Sequence, residues 1–556
     1  MPLQIDACVF NLFKTVKRMM ETYDAIIAGY GPTGATLANL LGSMGWRVAI
    51  VERESGIYGK PRAITADHEV LRAFQAAGLA EKIVADTCPH PGTDFVGIDG
   101  QVIKRFYPLP NPGPLGWEPS FMFYQPTLER VLREGVERFD AIDVLLEHTC
   151  LGSRQDMDGV DVDVIAPNES LKRLRGKYLL ACDGARSAVR SQIGATIEDL
   201  AFDEWWIVVD ADMHRDVALP QRCVQYCRPT RPGTYIVGPN RLRRWEIKVL
   251  PGEAPESFND SEYLNDVLST FVDTSGLVVK RVAIYRFHAV VAQQWRDSRV
   301  FLLGDAAHQM PPFMGQGLCA GVRDAYNLAW KLDAVLRGKA DDVLLDTYGE
   351  ERRPHVRTIV ERAKEFGLII GELDERAARD RDHRLAAELA SGSVPTIRQS
   401  FVPGLVTGLL YRDTSGTPSV GAGKLFPQPW VRSSTVGRVR LDDLVRGEFW
   451  VVSTDASVAA HALSELRRFV CLAESKVVCI VANSEITARS ETGPIVVEEE
   501  LDLVMNWLTE HGAVAAIVRR DGFAYSAARA KDDLSRMIVS LAEALMAESP
   551  PRMVHA

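Results

Sequence analysis

Three glycines carry the first chemical signal in the chain. In GYGPTG, Gly29, Gly31 and Gly34 stand at GxGxxG spacing with Pro32 and Thr33 between them, and the next apolar run closes on an acid, Glu52, followed by Arg53. That set suits a dinucleotide: the first glycine permits a tight turn, the second lets backbone approach a pyrophosphate, the third allows close packing, and the acid accepts from ribose hydroxyls. Two later acids also end apolar runs. Asp183 closes LLACD before Gly184, and Gly304 and Asp305 close VFLLGD. Beyond Asp305 come His308, Pro311 and Pro312, then Gly315, Gln316, Gly317 and Leu318. Glycine backbone N–H groups at a helix start can stabilise negative charge on a bound ring. For His308, proton transfer and a conformational role both stay open.

These residues need strands and helices to hold them. Tyr23 to Ala28 is a short apolar run typical of a buried parallel strand, ATLANLLGSMGW has helical spacing ended by Gly45, and RVAIVE is a second strand, which completes a βαβ unit. The unit alone does not separate NAD from FAD. In PRAITADHEVLRAFQAAGL, Arg62 sits at a helix mouth, where it can reach an anion or remain a solvated helix-end arginine. Gln125 precedes a helix with Leu128, Val131, Leu132, Val136 and Phe139 on one face. Asp183 lies at a strand's C-terminal end, the edge where ligands gather in open α/β sheets, with a simple turn as the other reading. The helix after Gly317 places Leu318, Val322, Ala325, Leu328, Ala329 and Leu332 on one stripe.

At 556 residues the chain exceeds one core and implies several structural units. Its net charge of -10 argues against a nucleic-acid partner, which would need clustered excess Lys and Arg. No apolar run approaches the roughly 20 residues that span a bilayer, so no membrane partner is expected. The nine cysteines are scattered and form no CxxC pair, as expected of reduced thiols in the cytoplasm. Cys223 and Cys227 lack a second ligand pair at zinc-finger spacing, so no metal is expected. The opening MPLQIDACVFNLFKTVKRMM places its positive charges after its apolar patch, the reverse of a secretory signal. Because a nucleotide-binding strand normally begins close to a chain's start, Met20 is expected as an alternative initiator and residues 1–19 are expected to be dispensable.

Between Asp183 and Asp305 the texture turns to strand-like runs, WWIVVDADM, RCVQYC, GTYIVG, RRWEIKVL and KRVAIYRF, which favour an antiparallel sheet. Tyr226, Tyr235, Arg244, Lys248 and His288 are its polar candidates for holding a phenol or a carboxylate, although alternation does not say which face each occupies. From about residue 437 the pattern restarts as EFWVVST, ASVAAHALSELRR, SKVVCIVA, LDLVMNWLTEHG, AVAAIVRRDGFAY and DDLSRMIVSLAEALMA, a small α/β domain. The expected organisation is an N-terminal extension (1–21), a Rossmann-type nucleotide-binding domain in three parts (22–92, 121–200, 288–370), an antiparallel β-sheet domain (93–120 and 201–287), helix and linker (371–436) and a small α/β C-terminal domain (437–556).

GYGPTG with Glu52, DGARS and GDAAHQMPPFMGQG, in this order and separation, resemble the class A flavoprotein aromatic hydroxylases over about residues 22 to 365, with the p-hydroxybenzoate hydroxylase-like fold. PRAI, EWWIVVD, RRWEIKVLPGE and LLDTYGEERRPH look closest to 3-(3-hydroxyphenyl)propionate hydroxylases. The resemblance implies FAD as cofactor, NADH or NADPH as transient reductant, O2 as co-substrate, and hydroxylation of a small phenolic substrate through a flavin C4a-hydroperoxide. It implies that Asp305 binds the ribitol and pyrophosphate region, that Asp183 supports the cofactor, that Gln125 approaches the flavin, and that the Pro-rich loop at Pro312 guides flavin movement. It also implies that the antiparallel sheet roofs the flavin ring. Cys319 departs from the Asn or Ser of many relatives. The tail resembles the thioredoxin-like domain of several flavin hydroxylases, but STDASV stands where thioredoxins carry CxxC, so packing or a subunit contact, including a homodimer, is expected rather than redox exchange. No second GxGxxG in a βαβ context exists for a dedicated nicotinamide domain. Two other readings stay open: a hydroxylase of larger polyketide or aromatic natural products, and a non-catalytic flavin-binding sensor.

Overall fold

The computed structural model describes residues 22–57, 59, 63–433, 437–481, 493–548 and 553. The expected N-terminal extension with Met20 and Cys8 lies outside the described residues, and so does Arg62. The glycine signature folds as read: β1 (Thr22–Ala28) leads into α1 (Pro32–Ser43) and returns as β2 (Val48–Glu52), parallel to β1. Gly29 has φ +99°, and a Cβ there would lie 2.3 Å from the Cys182 carbonyl oxygen, so only glycine fits the turn. Helix α2 (Gln125–Val136) packs against α1, and β3 (Leu171–Ala181) pairs with β1 on the side away from β2.

The chain then builds a second sheet. It comprises β4 (Ile197–Met213), β5 (Cys223–Tyr226), β6 (Gly233–Val237), β7 (Leu242–Lys248) and β8 (Leu277–Ala292), in the spatial order β8-β4-β7-β6-β5, and all these neighbouring pairs are antiparallel. Thr93–Val96 and Val102–Phe106 extend it beyond β5. One face buries Tyr235, Trp245 and Ile247 against α3 (Ser261–Ser269) with Leu264 and Leu268. By the two-residue period of a strand, Ile236, Arg244 and Glu246 turn to the opposite face.

Strand β9 (Val300–Leu302) rejoins the first sheet beside β3. The long helices α4 (Gly317–Leu336) and α5 (Asp346–Gly371) follow. Glu375–Ser391 forms a further helix within the expected linker region. The C-terminal unit is built on β10 (Trp450–Ser453), α6 (Ala456–Leu466), β11 (Lys476–Ile480), β12 (Ile495–Glu499), β13 (Ala515–Val518), β14 (Ala524–Ala528) and α7 (Lys531–Leu545), with further helices at Leu441–Val445 and Leu503–Glu510 and with Trp430–Ser433 and Gly437–Arg440 continuing the sheet beyond β12. Its order β12-β11-β10-β13-β14, parallel from β12 to β10 and then antiparallel, is thioredoxin-like. AVAAIVRRDGFAY reads as one strand in sequence but is the hairpin β13-β14. Its turn falls at Asp521-Gly522, where Gly522 has φ +82°, the strongest short hairpin signal being such an Asp-Gly pair.

A buried charge knot ties this unit to the rest. Glu351 of α5 accepts from Asn327 Nδ2 (2.7 Å) and Lys331 Nζ (2.8 Å) of α4, from Leu409 N (2.9 Å), and from Arg519 Nη1 (2.8 Å) and Nη2 (2.7 Å). Lys331, Glu351 and Arg519 have no exposed side-chain surface. Burial pushes the Glu351 carboxyl up, but the Arg519 and Lys331 charges and hydrogen bonds outweigh it and hold it at about 2. Asp521 also accepts from Trp330 Nε1 at 3.1 Å, and on the opposite flank Arg72 Nη2 donates to Asp442 at 2.8 Å.

Candidate active site

The C-terminal ends of β1, β3 and β9, the start of α4, and the inner face of the second sheet enclose one cavity of about 280 Å³. From the first sheet it is lined by Gly31, Pro32, Thr33, Cys182, Gly184 and Asp305. Gln125 closes one side, and Pro312, Gly315, Gly317 and Leu318 another. Ile236, Glu246, Phe287 and His288 come down from the sheet. Stretches far apart in sequence therefore meet in one place, the ends of β1, β3 and β9 because parallel strands all present their C-terminal ends to the same edge.

The cradle has room and unused polar capacity for an anionic ligand. A Cβ on Gly31 would meet nothing within 4 Å, whereas one on Gly34 would lie 2.1 Å from the Gly29 carbonyl oxygen. Neither α1 nor α4 has its first-turn amides capped by a side chain at the N-cap, so both N-termini offer N–H groups and a positive dipole end. Asp183 accepts from Val189 N at 3.2 Å through Oδ2, while its buried Oδ1 has no partner among the described residues. Gly304 has φ +58°, and a Cβ there would press to 2.7 Å from Thr33 Oγ1, which ties the Asp305 turn to the glycine loop. Glu52 closes β2, accepting from Tyr30 N (2.7 Å) and Glu54 N (2.9 Å). This donor set fits FAD, with pyrophosphate at α1, ribose near Glu52 and the ring at the mouth of α4.

His308 is held rather than free. Its Nε2 lies 2.8 Å from Asp324 Oδ2, and its ring stacks on Trp295 with centroids 5.4 Å apart. Asp324 also accepts from Gly304 N (3.0 Å) and Arg352 Nε (2.9 Å). Burial pushes the Asp324 carboxyl up, and the His308 and Arg352 charges overcome that and keep it below the usual carboxylate range. Through Asp324, His308 is linked to the Asp305 turn and to α4, and it also lines the cavity.

Other expected residues lie elsewhere. Gln316 turns away from the cavity: Arg323 Nη1 donates to its Oε1 at 2.9 Å, and its Nε2 donates to Asp67 Oδ2 at 3.1 Å, within a buried cluster where Arg323 also pairs with Asp67 and Glu69 at 2.6 Å. Tyr235 and Tyr226 lie on the outer face of the second sheet, against Trp245 and Phe271 respectively, so the structure does not bring them to the cavity. Arg244 shares the inner face but is bound to Asp210 at 2.6 Å. Lys248 is bound to Glu204 at 2.8 Å, and Arg53 is exposed beside Glu54 at 3.3 Å. Gln125 accepts from Ala63 N at 2.7 Å and donates to Glu129 at 2.7 Å at the cavity wall. Cys319 is buried, its thiol pushed well up by burial, and its Sγ is 3.5 Å from the Gly315 carbonyl oxygen.

Glu246 is one of the lining residues that sequence reasoning passed over, with Ile236, Arg286 and Phe287 among the others. Its signal was present in RRWEIKVL: Trp245 and Ile247 flank it, so an apolar outer face puts the acid inward with Arg244.

Comparison with known proteins agrees with the geometry. Residues 22–363 match the FAD binding domain family, and residues 423–544 match the HcaD C-terminal domain. A probable NADH-specific resorcinol 4-hydroxylase of Rhodococcus jostii is 35% identical over 94% of this chain and 96% of its own length. A 3-(3-hydroxy-phenyl)propionate/3-hydroxycinnamic acid hydroxylase of Mycolicibacterium smegmatis is 33% identical over 77% of this chain and 76% of its own. In fold, the crystal structure of the flavin-dependent monooxygenase PieE in complex with FAD and substrate superposes with a TM-score of 0.73 at 21% identity, covering 94% of this chain and 99% of PieE. A dinucleotide cradle that fits FAD, a sheet roofing it, and these matches over most of the chain's length converge: the chain belongs to the FAD binding domain family of class A flavoprotein hydroxylases and is a flavin-dependent monooxygenase.

Proposed function

We propose that this enzyme hydroxylates a single-ring phenol, using NADH as transient reductant and O2 as co-substrate. The observation that carries the substrate class is the cavity wall, where Ile236, Phe287, Met310 and Leu318 offer apolar surface for an aromatic ring and Glu246 a polar group for its hydroxyl. The relatives named for resorcinol and for 3-(3-hydroxy-phenyl)propionate support the same class, and the name of the first supports NADH. The free thiols of every described cysteine support a reducing compartment, the cytoplasm, and no described helix is long and apolar enough to cross a membrane.

When bound, FAD supplies hydride acceptance and the activation of oxygen for transfer to the ring. The chain's residues do the rest. Gly31, Thr33 and the first turn of α1 would hold the FAD pyrophosphate, Glu52 its ribose, and Asp183 and Asp305 its central part. The uncapped start of α4 would favour negative charge on a ring bound in the cavity. Ile236, Phe287, Met310 and Leu318 give the cavity apolar walls, which exclude water from the reacting centre. Pro312, in the turn that ends at Gly315 with φ +64°, shapes the loop that lines this side of the cavity.

The test is a panel of resorcinol, 3-(3-hydroxyphenyl)propionate, 3-hydroxycinnamate, simple phenols and a multi-ring polyketide phenol. NADH and NADPH oxidation, product and peroxide are measured for each. Stimulated, coupled oxidation by single-ring phenols is expected; stimulation by the polyketide alone would overturn the reading.

A further inference from the structure

One acid faces the cavity with no task in the scheme above. Glu246 sits mid-strand in β7, is 3% exposed, and lines the cavity. Its surroundings are charged but do not satisfy it. Arg244 Nη1 lies 3.9 Å from Oε1, past hydrogen-bond distance, because Arg244 is committed to Asp210 through Nε (2.6 Å) and Nη2 (3.1 Å). Asp210 is shared with Arg281, whose Nε donates to it at 2.9 Å and whose Nη1 donates to Tyr285 at 3.2 Å. The remaining charges around this face are paired elsewhere: Lys248 on Glu204, and Arg286 and His288 on Asp203 at the rim. A buried carboxylate in contact with a ligand cavity and without a hydrogen-bond donor among the described residues calls for a donor from the ligand.

We propose that Glu246 receives the proton of the substrate's phenolic hydroxyl, and so acts as the catalytic base of the hydroxylation. The inference rests on the phenol reading above. In the step, the phenol O–H bond breaks, the proton passes to a Glu246 oxygen, and the electron pair stays on the phenolate; no oxidant or reductant takes part. The local charge explains why the step suits this site. Arg244 and Arg281 bring two positive charges, and Asp210 and ionised Glu246 bring two negative ones. When Glu246 takes the proton, the phenolate replaces its charge, so the buried cluster stays neutral and no new ion is created in a low-dielectric site. A phenolate is also a more electron-rich ring, which oxygen transfer needs.

Burial pushes the Glu246 carboxyl up to about 7, with Arg244 pulling against it. A base poised near the working pH is the most effective kind. The sign follows: only the ionised form can accept a proton, so hydroxylation rises as pH climbs through about 7.

The experiment compares wild-type holoenzyme with Glu246→Gln and Glu246→Asp, using resorcinol and 3-(3-hydroxyphenyl)propionate as probes. Flavin content and affinity for each phenol are measured first. The ultraviolet difference band of bound phenolate, and the ratio of product to peroxide, are then followed across pH. The Gln variant is expected to hold flavin and bind phenol, to form bound phenolate only at higher pH, to lose the rising limb, and to hydroxylate about 100-fold more slowly. The Asp variant should recover a rising limb, displaced to lower pH. An unchanged phenolate band and pH profile in Glu246→Gln would overturn the assignment while leaving the phenol reading intact. Should the Gln variant fail to hold flavin, the Asp variant decides: an undisplaced limb overturns the assignment. Wild-type enzyme that binds neither phenol overturns the functional reading and this inference with it.

Discussion

Replacing Glu351 by Gln tests whether the buried knot holds the C-terminal unit in place. The amide keeps the shape but loses the charge, and it turns one of two acceptor oxygens, which together receive five donors, into a donor itself. Two routes give the magnitude. Breaking a buried pair by removing one partner costs roughly 3–5 kcal/mol. Linkage gives a similar figure: the carboxyl falls from 4.5 to about 2, and at about 1.4 kcal/mol per unit this is on the order of 3 kcal/mol. The folded-state pKa is depressed, so this contribution is fully present above the unfolded value near 4.5 and is lost as pH falls toward 2. Urea unfolding of wild type and Glu351→Gln at neutral pH should therefore show a midpoint lower by about 1–3 M for a slope of 1–3 kcal/mol/M. The gap between the two proteins should narrow as the pH is lowered through the 4.5 to 2 window. A neutral-pH difference below about 1 kcal/mol, the value of an ordinary exposed pair, would refute the knot. So would a difference that does not change with pH.

Further outcomes concern the site itself. Asp305→Ala should give protein that purifies without yellow colour, measured as flavin absorbance per protein; full retention of FAD would sink the role of that acid. Gly29→Ala forces a side chain to 2.3 Å from the Cys182 carbonyl oxygen at φ +99°, and should lose FAD and cost more than the roughly 1 kcal/mol of a tolerated glycine change, read by flavin content and thermal unfolding. Tyr226→Phe and Tyr235→Phe, on the outer face of the second sheet, should leave KM and kcat within about twofold of wild type; a large rise in KM for either would mean that the sheet face was misassigned.

What the sequence disclosed is local. The GxGxxG turn, its helix and its strand are contiguous, and the positive φ of Gly29 and the tight packing at Gly34 are demands that only glycine meets, so the residues announce the conformation. Asp183 and Asp305 were legible for a related reason: acids ending apolar strands must fall at the ligand edge of a parallel sheet. The small α/β tail is legible in its alternating strands and helices, its thioredoxin-like form only through resemblance, and β13 and β14 run together until Asp521-Gly522 is seen as a turn.

Long-range partners and strand faces were hidden. Gln316 lies between the two glycines of the cavity loop, and nothing local tells that Asp67 and Arg323 claim its side chain. Tyr235 and Arg244 belong to the same sheet and looked equivalent, because period-2 alternation leaves the choice of inner face undetermined until α3 covers one side. Glu351 and Arg519 lie 168 residues apart in sequence, and no spacing rule joins them.

Helix α4 is pinned at successive heights: Arg323 to Asp67 and Glu69, Asp324 to His308 and Arg352, Asn327 and Lys331 to Glu351. A rod fastened at so many points cannot slide or rotate without breaking several buried ion pairs together. For anyone wishing to redirect this catalyst to new substrates, the practical lesson is a division of labour. Libraries aimed at the rod would squander most members on misfolded protein, whereas inward positions of the roofing strands, Ile236 and Phe287 first, can be varied while the mount for the cofactor stays fixed.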